Sequence, residues 1–314
     1  MRPLRFVPDN TRFDFVRWRF AAFAVSILLF VLTVGSISVR GLNLGIDFEG
    51  GLLMEVRADR ALDIGAMRQQ LQAQNIGNIQ LQQFGEATDM LIRAELPEGG
   101  EAAQQIVVRQ IQEALGPGFE YRRVEFVGPT IGGELLRDGL IATSLAILAI
   151  AVYVAFRFEW QFGIAALIAT LHDVILTLGL YSVLGLEFDM TSIAALLTLA
   201  GYSINDTVVV FDRIRENLRR YKSADLKTLI NMSVNETLSR TIMTSGTTML
   251  AVAALLFFGG STLFNFSLAL AWGILIGTAS SIFVAASLLF YLPSIRGRGA
   301  QGGADAGAAV PAKE

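Results

Sequence analysis

The chain has 314 residues, of which 53% are hydrophobic and 17% are charged, and its formal net charge at pH 7 is −3. Soluble globular proteins are about one quarter charged, so this composition excludes an ordinary soluble domain and favours a membrane protein. The sequence contains no cysteine, which excludes disulfide bonds and thiolate metal sites.

Six apolar segments follow one another along the chain, and each is long enough to cross a bilayer, which takes about 20 residues in a helix. They are predicted at 20–39, 139–156, 162–184, 190–211, 241–258 and 264–292. The first segment follows the basic N-terminus, residues 1–19. Its apolar part is too long for a cleaved signal peptide, so we expect an uncleaved anchor.

The basic residues predict the orientation of these spans. They are concentrated before the first span, between the fourth and fifth, and after the sixth, and the short loops after the third and fifth have none. By the positive-inside rule, both termini and the predicted loop 212–240 are cytoplasmic. The end of the chain, 293–314, is rich in glycine and alanine, which predicts a disordered cytoplasmic tail.

The segment 40–137, between the first two spans, is then extracytoplasmic and is predicted to form one small domain. Strand-like alternation of apolar and polar residues occurs at 52–57, 79–83, 90–94 and 121–127. Helical spacing follows the first and third of these strands, and Asp63 can cap the first helix. The order βαββαβ predicts a ferredoxin-like domain of the split βαβ type.

The fold class predicted from these segments is a polytopic α-helical membrane protein. It has six transmembrane helices and a small βαββαβ ferredoxin-like extracytoplasmic domain between helices 1 and 2. The remaining five helices occupy 138–292. One span, an outer domain and five further spans are the plan expected of one half of a larger two-part transporter.

The fourth span carries an aspartate, Asp206, within the sequence GYSINDTVVVFDRIREN at 201–217. An ionised carboxylate inside a bilayer costs about 2.5–3.5 kcal/mol or more, so such a residue usually faces a partner or water. The small or polar neighbours Gly201, Ser203 and Asn205 would let another helix or water approach. We favour a protonatable carrier, with Asn205 as polar support. The alternatives are a structural ion pair and an aspartate near the membrane surface.

Three further polar residues of the spans are candidates for the same chemistry. Arg240 opens the fifth span on the cytoplasmic side, where it could be the counter-charge of Asp206; it could also extend to the lipid headgroups. His172 and Asp173 lie near the middle of the third span. They could form a proton relay or a hydrogen-bonded contact between helices, and the sequence leaves both open.

The stretch LGIDFEGG at 44–51 joins the first span to the outer domain. Its glycines, Gly45, Gly50 and Gly51, permit positive φ, and Asp47 lies between them. The segment is either a plain turn or a hinge that passes motion between the membrane and the outer domain.

Several classes of chemistry lack a sequence signal. There is no phosphate-binding glycine loop, no nucleophile–histidine–acid set and no basic–aromatic surface for nucleic acid. A single histidine and scattered carboxylates provide no metal-ligand spacing. We therefore predict no cofactor, no metal and no enzymatic reaction, and an ion gradient as the source of energy.

Four motifs together resemble the SecF proteins of the SecD/SecF family, bacterial protein-export membrane proteins related to the RND transporters. They are GIDFEGG at 45–51, LHD in the third span, the fourth-span sequence and SRTIMTSGTT at 239–248. The resemblance implies a partner, SecD, and association with the SecYEG channel, YajC and YidC in the bacterial inner membrane. It also implies that the proton-motive force drives a late stage of preprotein export, after the ATPase SecA has acted. The aspartate and arginine of the family's proton relay fall on Asp206 and Arg240.

Two other functions remain open at this point. The chain could be half of an RND-type proton-driven efflux transporter for small molecules, although 40–137 is too short to build a drug-binding tunnel alone. It could also be a passive scaffold that docks other subunits. Proton and sodium coupling are both compatible with the sequence.

Overall fold

The computed structural model describes residues 11–74, 79–83, 86–95 and 100–292. After a short 3₁₀ turn, Val16–Trp18, the chain forms helix α1, Arg19–Arg40. A two-residue strand, β1 (Asn43–Leu44), and a single helical turn, α2 (Ile46–Glu49), follow. Residues 1–10 of the predicted N-terminus and the predicted tail 293–314 lie outside the described residues.

The described residues between 51 and 127 form a small domain with a four-stranded antiparallel sheet. Its elements are β2 (Gly51–Ala58), α3 (Ile64–Gln72), β3 (Ile79–Gln83), β4 (Asp89–Ala94), α4 (Gly100–Leu115) and β5 (Phe119–Val127). The strand order is β3-β4-β2-β5, and the helices occupy the two crossovers. This is the split βαβ arrangement, so the predicted ferredoxin-like fold is confirmed. Asp63 caps α3 as predicted, because its carboxylate accepts the N–H of Ala66.

The two faces of this sheet have different environments because side chains alternate along each strand. Leu52, Met54 and Val56 of β2 are fully buried against α3 and α4. The opposite face carries charged side chains such as Glu55 and Arg123, and it lines a cavity above the outer ends of the membrane helices. The hydrophobic core therefore holds the domain together, and the charged face is turned towards the membrane part.

The rest of the chain is a helical bundle. Its elements are α5 (Pro129–Arg157), α6 (Trp160–Leu184), strand β6 (Glu187–Phe188), α7 (Met190–Arg220), α8 (Leu226–Phe258) and α9 (Gly260–Ala279). The last helix continues through a π-helical turn, Ser280–Ala285, into α10 (Ala286–Leu288). Within the described part of the chain, six helices are long and apolar enough to cross a membrane, which confirms the predicted number. The spans of α6, α7 and α9 are the most buried, and α1 is the most exposed.

The prediction of a loop at 212–240 is wrong. Helix α7 continues to Arg220 and α8 already begins at Leu226, so only 221–225 connects them. Hydropathy detects the apolar part of a helix only, whereas these charged extensions stay helical because they pack on each other. Ile214 and Leu229 are fully buried, and Asp225 caps α8 at the N–H of Thr228. Helix α5 likewise begins ahead of its predicted start at 139 and includes the end of the segment assigned to the outer domain.

Glycines allow the membrane helices to approach closely. A Cβ at Gly179 of α6 would collide with the side chain of Thr33 of α1. A Cβ at Gly273 of α9 would lie 2.5 Å from Leu199 of α7. The first contact joins α6 to α1, and the second joins α9 to α7, the helix of Asp206.

Candidate functional site

Asp206 lies on α7 and is buried inside the bundle, with 2% of its surface exposed. Its carboxylate accepts hydrogen bonds from the hydroxyls of Thr244 and Ser245 on α8, both at 3.3 Å. The Ser245 hydroxyl is also 2.7 Å from that of Thr278 on α9. Because hydroxyl hydrogen bonds are usually about 2.7–2.8 Å long, the two contacts of Asp206 are loose.

Arg240 lies on the same stretch of α8 as these hydroxyl donors, and its side chain is exposed. The backbone carbonyl oxygen of Arg240 accepts a hydrogen bond from the hydroxyl of Thr244, one turn further along α8. Arg240 is an electrostatic neighbour of Asp206, but the carboxylate is satisfied by hydroxyls and not by an ion pair.

Asp173 forms a second polar cluster and is fully buried on α6. Its carboxylate lies 2.8 Å from Nδ1 of His172 and accepts hydrogen bonds from Ser203 of α7 at 2.5 Å and Ser280 of the π-helical turn at 2.7 Å. Three elements of the bundle thus meet at one carboxylate. This geometry suits a hydrogen-bonded contact between helices, one of the two interpretations that the sequence left open.

The stretch 277–281 lies between the two carboxylates. Ser280 bonds to Asp173, and the hydroxyl of Ser281 is 2.8 Å from that of Thr207, the residue next to Asp206. Gly277 allows this approach, because a Cβ there would lie only 3.1 Å from Ser203. π-helical turns inside α-helices occur frequently at functional sites.

Sequence reasoning missed the hydroxyl residues of this site. They are Thr207, Thr244, Ser245, Thr278, Ser280 and Ser281. For Thr278, Ser280 and Ser281, the available signal was a group of small polar residues in the sixth span, in an otherwise apolar run. That signal is weak because serine and threonine are common at helix contacts within membranes.

Asn205 is not brought to the carboxylate of Asp206. It lies on the exposed side of α7, with Gly201 one turn before it. A side chain on that side cannot support Asp206 within this chain, and it is instead available to a partner.

The segment 45–51 uses its glycines in two ways. Gly50 and Gly51 have φ values of 76° and 126°, so both need the freedom predicted for them. Gly45 does not, because its φ is −75°; its lack of a side chain allows close approach to Glu187, whose Oε1 would be 3.0 Å from a Cβ. Asp47 accepts the N–H of Met190, the first residue of α7, at 2.9 Å.

The candidate site consists of carboxylates and hydroxyls inside the helical bundle. Two buried carboxylates are each positioned by hydrogen-bond donors from neighbouring helices. Among the described residues, no group of histidine and carboxylate side chains could hold a metal ion.

Comparison with known proteins shows where this arrangement occurs. Residues 107–294 match the family model for the C-terminal region of the protein export membrane proteins SecD/SecF, and residues 35–61 match the SecD/SecF GG motif. The chain is 46% identical to the protein translocase subunit SecF of Rickettsia prowazekii, over 91% of this chain and 93% of that protein. It is also 46% identical to SecF of Rickettsia typhi, over 91% and 94%.

Two solved structures of SecDF share the fold. The translocon-associated SecDF of Thermus thermophilus matches with a TM-score of 0.84 at 38% identity, and a super-membrane-facing form of SecDF matches with 0.67 at 39% identity. Each match covers 93% of this chain but 40% of the SecDF chain, so the present chain spans less than half of SecDF. The fold of this chain, with its six long helices and its outer domain, thus occurs in SecDF. The chain belongs to the SecD/SecF family of protein-export membrane proteins.

Proposed function

We propose that proton transfer at Asp206 drives a conformational change with which this Sec translocase subunit helps to export unfolded preproteins. The observation that carries the proposal is the buried carboxylate of Asp206, which among the described residues is held by two loose hydroxyl contacts from α8. The similarity to SecF subunits over most of both chains supports the translocase role.

The geometry suggests how one proton could move a helix. When Asp206 is ionised, it attracts the nearby charge of Arg240, and α8 is drawn towards it. When Asp206 is protonated, that attraction disappears and the hydroxyls of Thr244 and Ser245 suffice. One elementary charge that crosses 100 mV releases about 2.3 kcal/mol, enough to shift a two-state equilibrium by more than tenfold.

SecD is the proposed partner in this cycle. One side of α7 is exposed along its apolar part, at Ala194, Thr198, Gly201 and Asn205. A polar amide facing lipid is unfavourable, and small residues allow close approach of another helix, so this α7 face is the proposed contact with SecD. The SecDF chain that this protein matches is long enough to contain such a second half.

Further associations accompany the proposed role. By family resemblance, the pair associates with SecYEG, YajC and YidC in the bacterial inner membrane and acts after SecA. The positive-inside rule supports cytoplasmic termini. The efflux alternative is not favoured, because the relatives that cover more than nine tenths of this chain are translocase subunits.

The decisive test compares two identical substitutions on α7. Asp206→Asn keeps the side-chain shape but removes the titratable group, and we expect the gradient-dependent part of export to fall at least about 100-fold, the scale of a lost proton-transfer group. Asp212→Asn, at an exposed carboxylate of the same helix, should leave export unchanged. Export into inner-membrane vesicles, with the SecA-driven part measured separately, provides the readout. Normal export by a folded, SecD-bound Asp206→Asn variant would refute the proposal.

The role of Arg240 and the nature of the ion are tested with the same vesicles. Arg240→Lys retains the charge and should keep most of the gradient response, whereas Arg240→Gln should lose it. An imposed pH gradient should support export without sodium. Export that requires a sodium gradient instead would contradict proton coupling.

A further inference from the structure

The backbone just after α1 is hydrogen-bonded to the backbone just before α7. Strands β1 and β6 form a parallel pair in which Asn43 lies opposite Glu187 and Leu44 opposite Phe188. The N–H of Gly45 then donates to the carbonyl of Phe188 at 2.8 Å. The start of the outer domain and the entrance to α7 are therefore one structural unit.

Arg93 connects the sheet of the outer domain to this strand pair. It lies on β4, and its guanidinium forms an ion pair with Glu187 at 2.5 Å and donates to the side chain of Asn43 at 3.1 Å. The side chain of Asn43 in turn donates to the carbonyl of Gly185, at the end of α6. The side chains of Arg93 and Glu187 are only 12% and 16% exposed, so water screens the pair little. Burial raises the pKa of the Glu187 carboxyl and Arg93 opposes that shift, which makes Arg93 the group that favours the charged form.

Asp47 makes a second connection, at the first turn of α7. The helix already has its own cap, because Asp189 and Ser192 form a capping box. The carboxylate of Asp47 adds an acceptor for the N–H of Met190 from a segment far away in sequence. A negative charge there also interacts favourably with the positive end of the helix dipole.

The segment that carries Asp47 is fixed on its other sides as well. A Cβ at Gly132 of α5 would lie 2.6 Å from the carbonyl oxygen of Phe48, so helix and segment are in direct backbone contact. A Cβ at Gly51 would lie 2.9 Å from the carbonyl oxygen of Ala94 on β4. Phe48 is buried, and its ring contacts that of Phe188 with centroids 5.8 Å apart. The segment is thus held between α5, α7 and the sheet, which is not the environment of a free hinge.

We propose that Arg93, Asn43 and Asp47 are positioning residues that fasten the outer domain to the first turn of α7, the helix of Asp206. Asp206 lies roughly 24 Å along α7 from Met190, at about 1.5 Å per residue. A helix of this length transmits a displacement from one end to the other, so the fastening couples proton transfer at Asp206 to movement of the outer domain. This coupling rests on the proposed function, whereas the fastening itself does not.

The first test measures coupling in the complete complex. Arg93→Gln should leave the gradient-driven proton flux through the reconstituted complex unchanged. It should lower the amount of preprotein exported per proton at least about fivefold, which is the lower end of typical allosteric coupling. Arg123→Gln is the matched control, because Arg123 lies on β5 of the same sheet and pairs with Glu125 of its own strand. The double variant Arg93→Glu with Glu187→Arg reverses the ion pair and should restore at least part of the coupling. An unchanged ratio of export to flux in Arg93→Gln would overturn the proposal.

A second test reports on the fastening even if Asp206→Asn exports normally and the proposed function fails. The natural sequence has no cysteine, so Gln110→Cys on α4 and Leu184→Cys at the end of α6 introduce two unique sites for spin labels. In the complete complex, Arg93→Gln should broaden the distance distribution between the labels, and the charge-reversed pair should narrow it again. The inference is wrong if Arg93→Gln and Arg123→Gln give the same distribution, or if the folded double variant stays as broad as the single one.

Discussion

At the scale of single residues, the two buried carboxylates differ in how firmly they are held. Asp173 has three polar contacts between 2.5 and 2.8 Å, whereas Asp206 has two hydroxyl contacts at 3.3 Å. Short contacts from three elements resist rearrangement, and long contacts from one helix permit it. The carrier role therefore fits Asp206, and a positioning role fits Asp173.

Removal of a donor from Asp173 should destabilise the bundle. Ser203→Ala leaves the buried carboxylate with one hydrogen bond fewer, which typically costs about 1–3 kcal/mol. Ser144→Ala is the control, since that exposed hydroxyl bonds only to the carbonyl of Leu140 in its own helix. Thermal unfolding of the detergent-solubilised chain measures the difference. Equal melting temperatures for the two variants would show that Asp173 is not a structural contact point.

At the scale of elements, the apolar runs predicted the number of membrane helices but not their lengths. The charged ends of α7 and α8 lack the apolar signal, yet they pack on each other as one unit. Arg213 of α7 forms an ion pair with Glu236 of α8, and Asn217 donates to Ser233. Such pairings depend on which helices are neighbours, and hydropathy does not contain that information.

The same limit applies to the candidate site. Asp206 and Arg240 could be selected as candidates because charges within apolar spans are rare and unfavourable, so each one requires an explanation. Their role in proton transfer stays a prediction. The ion pair between Arg93 and Glu187 could not be predicted, because in the sequence both residues look like ordinary surface charges. The order of strands and helices in the outer domain could be predicted because apolar and polar residues alternate clearly along its strands. The contact of this domain with α7 could not be predicted.

The N-terminal part of α8 also holds the chain that leads into α1. The amide of Asn235 accepts the N–H of Phe13 at 3.0 Å and donates to its carbonyl at 2.9 Å. Asn231 accepts the N–H of Val16 at 3.0 Å and donates to Asp14 at 2.8 Å. Two asparagines one helical turn apart thus satisfy the N–H and carbonyl of Phe13 and the N–H of Val16.

We expect Asn235→Ala to release this segment. The lost pair of hydrogen bonds is worth about 1–2 kcal/mol, so the amide of Phe13 should exchange its hydrogen roughly tenfold faster or more. Asn205→Ala, the same substitution at an exposed side chain of α7, is the control. Hydrogen exchange of the peptide that contains residues 11–16 is the measurement. Unchanged exchange in Asn235→Ala would mean that α8 does not hold the segment.

At the scale of the whole molecule, the chain has the length of a SecF relative but less than half the length of SecDF. The two SecDF structures match it at nearly equal identity and coverage, yet with TM-scores of 0.84 and 0.67, so the arrangement of this fold differs between them. A machine that changes shape needs two parts that move against each other. Within this chain the outer domain is fastened to α7, so the part that moves against them is the proposed SecD partner.

The α7 face should therefore be closed by SecD, and a bulky residue there should prevent pairing. A Cβ at Gly201 would meet nothing within 4 Å in this chain, so Gly201→Leu leaves the chain's own packing intact while it fills the space for a partner helix. We expect SecD that copurifies with the chain to fall about tenfold, a loss of about 1.4 kcal/mol in binding. Gly35→Leu is the control, because Gly35 of α1 is equally free of contacts but lies on another helix. If both variants retain SecD equally, SecD binds elsewhere, and the polar Asn205 on the same face would need a different partner to shield it from lipid.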